Sequence, residues 1–197
     1  MSSWIILSDT SILLSFICSR NEHFLIAIAE RLDTSIQIPN AVANEMERKL
    51  GNRRFSAGTA KWHTLLQTGY ITVLSDENPK LIPTIEGWTG PGFDTQDGLA
   101  KDLGEYMAIA HAKEFQKNKR NVALLVDDGG AQELAKRNGI ACLSSEDVLE
   151  LAVKKGMIAT KVEAQKIWTQ LSAFDVQVPF ERTRLAKKAL YQSSFNP

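Results

Sequence analysis

Apolar residues fall along the chain in short unbroken runs, separated by longer stretches of helical period. The runs are Trp4–Ser8 (WIILS), Ser35–Ile38 (SIQI, closed by Pro39), Tyr70–Leu74 (YITVL), Val122–Val126 (VALLV) and Ile140–Leu143 (IACL). Runs of this length that do not alternate with polar residues read as strands covered on both faces, as in a parallel sheet. The stretches between them predict helices over Phe24–Leu32, Asn40–Leu50, Ala57–Gln67, Leu103–Lys117 and Ala131–Arg137, the last stopped by Asn138-Gly139. Strand and helix in turn predict the α/β class: a three-layer α/β/α sandwich around a mainly parallel central sheet. Two regions depart from the alternation. Residues 76–101 scatter Pro79, Pro83, Pro91, Gly87, Gly90, Gly92 and Gly98 around Trp88 and Phe93, the pattern of a long loop or insertion with little helix of its own. After Ser144 only helices are expected: one behind a capping Ser145, one over Lys161–Leu171 and one over Glu181–Tyr191, past the punctuation of Pro179. The organisation expected is a main domain over 1–155, with a C-terminal helical extension, 156–197, packed on it.

Composition narrows the class. A chain of 197 residues, 44% of them hydrophobic, can build one large domain with a real core but hardly two. No apolar stretch approaches the roughly 18 to 20 residues needed to span a bilayer. No basic leader precedes the first apolar run, and Cys18 and Cys142 sit far apart in apolar surroundings, so a cytoplasmic protein with reduced thiols is expected. Lys and Arg number 23 and Asp and Glu 23. With no global basic field, any nucleic-acid contact must come from a local patch.

Acids then draw attention by where they fall. Ligands of an open parallel sheet bind beyond the carboxyl ends of its strands. Asp9 follows the first run directly, and Asp127 and Asp128 follow the fourth, with no lysine or arginine adjacent. Negative charge at such places is costly through burial and self-repulsion, and a cation offsets both. Glu45 flanks the apolar stripe Val42, Met46, Leu50, and Glu105 stands in the first turn of the 103–117 helix, three residues after Asp102. Oxygen ligands from several elements are what Mg²⁺ or Mn²⁺ requires. Structural readings stand beside these: Asp9 as an N-cap, Asp102 and Glu105 as a capping box, Glu45 as a solvated helix residue, Ser11 as a turn hydroxyl. His23, His63 and His111 lack ligand spacing, no phosphate-binding G-x-x-x-x-G-K-[ST] occurs, and Gly129-Gly130 is no dinucleotide fingerprint. Arg53 and Arg54, with Lys49, form a candidate phosphate contact; Lys117, Lys119 and Arg120 read as a solvated helix end.

Four pieces together resemble the PIN-domain ribonucleases, a family that includes the toxins of VapBC toxin-antitoxin pairs. LSDTSILL resembles the family's first strand and turn, with Asp9 as first acid and Ser11 as an accompanying hydroxyl. IPNAVANEM resembles its second piece, carrying Glu45. LGEYMAIAHAKE resembles the third, carrying Glu105, and LLVDDGGAQELAKRNGI the fourth, carrying Asp127 with Asp128 beside it. The resemblance covers roughly residues 4–155. It implies that Asp9, Glu45, Glu105, Asp127 and Asp128 hold Mg²⁺ or Mn²⁺ for hydrolysis of RNA, with Ser11 beside them; Ser11 and, by their place in the loop after the Glu45 helix, Arg53 and Arg54 are expected toward the substrate. It also implies an antitoxin protein and a second copy of the chain as candidate partners. The third acid is a glutamate where many members carry aspartate, and Val126-Asp127-Asp128 stands where many have a threonine before the fourth acid.

Overall fold

A computed structural model describes residues 4–91, 102–175 and 178–192. Five strands form one sheet: β1 (Trp4–Ser8), β2 (Ile36–Pro39), β3 (Ile71–Leu74), β4 (Asn121–Leu125) and β5 (Ala141–Leu143). All four pairings are parallel and the spatial order is β3-β2-β1-β4-β5. The runs of the central strands β1, β2 and β4 are apolar because both their faces are covered, whereas the edge strands β3 and β5 are partly exposed. Ile6 of β1 enters one core layer, while Ile5 and Leu7 enter the other.

Ten helices are described. They are α1 (Thr10–Cys18), α2 (His23–Arg31), α3 (Asn40–Leu50), α4 (Thr59–Gln67), α5 (Leu81–Thr89), α6 (Leu103–Lys117), α7 (Gly129–Arg137), α8 (Ser145–Lys154), α9 (Lys161–Ser172) and α10 (Ala189–Gln192). The larger core layer joins α1, α2, α3, α4, α8 and α9 to one sheet face, and the smaller joins α6 and α7 to the other. Ala164, Ile167, Trp168 and Leu171 of α9, with Phe180 and Leu185, belong to the larger layer. The C-terminal segment therefore shares the core of the sheet.

Sequence order leaves β1 by α1 and α2 toward β2 on one side, and β4 by α7 toward β5 on the other. The order of strands reverses between β1 and β4, which makes the gap beyond their carboxyl ends the topological switch point. Asp9 and Asp127 stand on its two sides.

Three expectations are corrected. The proline-rich stretch contains α5, because Pro83 is only its third residue, where the backbone N–H has no intrahelical acceptor to lose. Residues 92–101, with Gly92, Phe93 and Gly98, lie outside the described residues. The α8 cap is Ser144, not Ser145: Ser144 and Asp147 close a reciprocal capping box. Over 181–191 the chain makes two 3₁₀ turns, Phe180–Arg182 and Arg184–Ala186, before α10. Thr183 between them is extended, and the Arg184 backbone N–H is given to Glu146 Oε1 at 2.6 Å rather than to a helix. A tertiary contact outweighs local helical preference there.

Candidate active site

Asp9 leaves β1 and caps α1: its Oδ1 accepts from the Ile12 N–H at 3.0 Å. The cap reading is therefore right, and it accounts for one oxygen only. Residue Asp9 is 1% exposed, and its Oδ2 is buried with no hydrogen-bond partner. An orphaned carboxylate oxygen is a large cost to retain in a fold. Burial, the largest cause, holds the Asp9 carboxyl well above the usual carboxylate range; the Ile12 bond opposes this, and the charges of Asp127, Glu105 and Asp175 add to it.

Glu45 comes from the second turn of α3 and is treated oppositely. Burial alone would raise its pKa, but the Thr10 hydroxyl donates to Oε2 at 2.6 Å and Lys49 Nζ lies 2.9 Å from Oε1, and the net direction is downward. Thr10, directly after Asp9, is thus the hydroxyl that reaches an acid. Lys49, grouped from sequence with Arg53 and Arg54 as a candidate phosphate contact, turns back along the helix to the same carboxylate.

Glu105 stands in the first turn of α6. Burial first, then the charges of Asp128, Asp102 and Glu45, push its carboxyl up to about 7, against a small pull from Lys49. The backbone can come this close because the preceding residue is glycine. A Cβ on Gly104 would lie 3.0 Å from Val42 Cγ2 and 3.4 Å from Glu45 Oε2. Asp102 does not complete the expected capping box: it occupies the left-handed region at φ 65° with no side-chain cap bond, so its charge remains beside Glu105.

The two adjacent acids after β4 divide the work. Asp128 Oδ1 accepts from the Ala131 N–H at 2.8 Å and caps α7. Asp127 accepts at Oδ1 from the Ser145 N–H, 2.7 Å, and at Oδ2 from the Ser145 hydroxyl, 2.5 Å. The charge of Asp127 acts on Asp9, and that of Asp128 on Glu105. A cleft of about 270 Å³ opens beside them, lined by Asp102, Glu105, Asp128, Trp88 and Tyr106 among others.

α3 and α6 are tied together behind the acids. Asp76 Oδ2 accepts from the Ala41 N–H at 2.7 Å, in the first turn of α3, and its Oδ1 lies 2.9 Å from His111 Nε2 of α6. Pro39 supplies no side-chain cap to α3, so a distant aspartate does. By contrast, Arg54 is engaged by backbone outside α3. Arg53 and Arg54 follow α3 near the C-terminal end of α1. Cys18 there donates to the Phe55 carbonyl, and Arg54 Nη2 donates to the Ala173 carbonyl at 2.8 Å.

The donor set suits a hard divalent cation: oxygens only, one of them buried and unpartnered. Among the described residues no three His, Cys, Asp or Glu side chains are drawn into a ready-made cage. Thr10, Gly104, Asp76 and Ser145 were missed in the sequence. Only Thr10 had a local signal, its place beside Asp9 at a strand end.

Comparison with known proteins adds the family. No curated protein matches the chain. The family described as DUF3368: PIN domain matches residues 5–179. PIN domains are generally nucleases, and generally use divalent metals. The match takes in β2 to β5, all but the first residue of β1, and the helices that carry Glu45 and Glu105, and on that extent the chain belongs to the PIN-domain family.

Proposed function

We propose that the protein is an endoribonuclease that hydrolyses RNA phosphodiesters with Mg²⁺ or Mn²⁺ held by Asp9, Glu45, Glu105 and Asp127, with Asp128 beside them. The observation that carries the reading is the buried, unpartnered Oδ2 of Asp9 among like charges at the switch point. A buried, unpartnered carboxylate oxygen beside other acids marks a candidate binding site. When bound, a divalent cation acidifies water and offsets the charge that builds on a phosphate undergoing attack. The chain's own residues prepare for it. Thr10 and Lys49 keep Glu45 ionised, Ser145 holds Asp127, and burial with like charge raises the carboxyls of Asp9 and Glu105, a cost that a cation would offset.

The test is cleavage of structured and unstructured RNA by the purified protein with Mg²⁺, with Mn²⁺ and with chelator. Asp9→Asn keeps the Ile12 cap and removes one charge. It should abolish cleavage while the protein stays folded. Cleavage that survives chelator or Asp9→Asn sinks the proposal. A second reading, a catalytically silent RNA- or protein-binding domain, is favoured by one observation: Asp127 and Asp128 are already engaged by Ser145 and Ala131. Bound Mn²⁺ without cleavage of any RNA would support it. The toxin reading, with an antitoxin partner, rests on the family resemblance, and co-purification with the product of an adjacent small gene tests it.

A further inference from the structure

Asp127 is held from behind by contacts that begin in the C-terminal segment. Both its oxygens accept from Ser145, the first residue of α8, which is fully buried and has no solvent to turn to. Ser145 is set in turn by the capping box one residue earlier. Asp147 Oδ2 accepts from the Ser144 N–H at 2.8 Å and from its hydroxyl at 2.7 Å. The other oxygen of Asp147 accepts from Arg184 Nη2 at 2.6 Å. Arg184 also donates Nε and its backbone N–H to Glu146 Oε1, at 2.8 and 2.6 Å, and its Nη1 lies 3.0 Å from Glu150 Oε2.

Isolated exposed ion pairs contribute little, and the Arg184 side chain is 47% exposed. Here one guanidinium and one backbone N–H engage three acids on the first turns of a single helix, and a shared network of this kind holds geometry that a lone pair does not. Arg184 also lies beyond residues 5–179, outside the part of the chain that the family match covers.

We propose that Ser145 and Arg184 are positioning residues for Asp127, through which the C-terminal segment sets the geometry of the cation site. This rests on the nuclease reading above. A carboxylate clamped at both oxygens cannot rotate, so Ser145 fixes the direction from which Asp127 meets a cation. Arg184 fixes Ser145 by holding the box that starts α8. Neither residue touches the reacting atoms.

The experiment uses the full chain with Mn²⁺ alone as the binding probe, measured by calorimetry, and RNA cleavage as a second readout. Ser145→Ala should weaken Mn²⁺ binding about 10- to 100-fold, the range for lost outer partners of metal ligands. It should lower kcat while leaving KM for RNA in place. Arg184→Ala, at an accessible position, should weaken Mn²⁺ in the same direction by less. The double variant should lose no more than Ser145→Ala, because both changes act along one path. Variants that melt earlier but bind Mn²⁺ as wild type does would show a structural role only and overturn the proposal. Mn²⁺ losses that multiply in the double variant would overturn the single path. Wild-type protein that binds no Mn²⁺ overturns the nuclease reading itself, and the positioning role with it.

Discussion

Replacing Glu105 by Gln should make the cation-free protein more stable, and only on the alkaline side of a defined window. The Glu105 carboxyl has an ordinary value of 4.5 and stands at about 7 in the folded protein. Between those values the folded protein keeps a proton that the unfolded chain has released, so stability falls as pH rises through the window. Below 4.5 the group is protonated in both states and costs nothing; above about 7 the whole cost is present. For a group sealed from water, a rise from 4.5 to about 7 corresponds to about 3 kcal/mol. Glu105 is only half-buried, and solvent screening lowers the expected gain of Glu105→Gln to about 1–2 kcal/mol. In a chain of this size that raises Tm by about 2–8 °C. The assay is urea unfolding in chelator, followed by fluorescence of the four tryptophans, at about pH 4 and about pH 8.5. The variant should match wild type at the first pH and exceed it at the second. Added Mn²⁺ should then stabilise wild type more than the variant. A gain of equal size at both pH values would refute the reasoning, as would no gain at the higher one.

Mn²⁺ binding near pH 6 should release protons, since Asp9 and Glu105 hold theirs above the usual range; calorimetry in buffers of different ionisation enthalpy checks this, and no release would mean that both acids are ionised without a cation. Asp76→Ala removes the acceptor shared by Ala41 and His111, and should cost about 1–3 kcal/mol in urea unfolding and slow RNA cleavage, because α3 and α6 lose a common tie. Gly104→Ala places a methyl 3.0 Å from Val42 Cγ2 and should cost about 1–3 kcal/mol, with weaker Mn²⁺ binding as α6 moves away from Glu45.

The sheet was legible because its central strands β1, β2 and β4 are covered on both faces, and such strands announce themselves as apolar runs. Six helices were marked to within a residue or two for a related reason: one face of each is apolar. The acids were legible by place, since a carboxylate directly after a buried strand has few structural uses. What could not be read from order along the chain is whatever couples distant residues. The Asp76 cap on α3 crosses 35 positions, and the Arg184 contact with Glu146 crosses 38. That second contact also explains why 181–191 fails as a helix despite a helical pattern. Asp102 shows the reverse error. Its spacing from Glu105 fits a capping box, but the left-handed backbone at Asp102 turns the side chain away from that use.

The unequal support of the acids is what makes the site intelligible. Glu45 and Asp127 are satisfied by their own neighbours, Thr10, Lys49 and Ser145, and act as fixed supports. Asp9 and Glu105 are dominated by burial and repulsion, which the Ile12 N–H and the Lys49 charge offset only in part. Were all the acids satisfied, a cation would gain nothing by entering; were none satisfied, the carboxyl edge of the sheet would repel itself apart. Two held carboxyls and two raised ones keep the fold intact and, on the proposed reading, leave a place that a divalent ion would neutralise. The structural bonds at Asp127 and the missing partner at Asp9 therefore serve the same end.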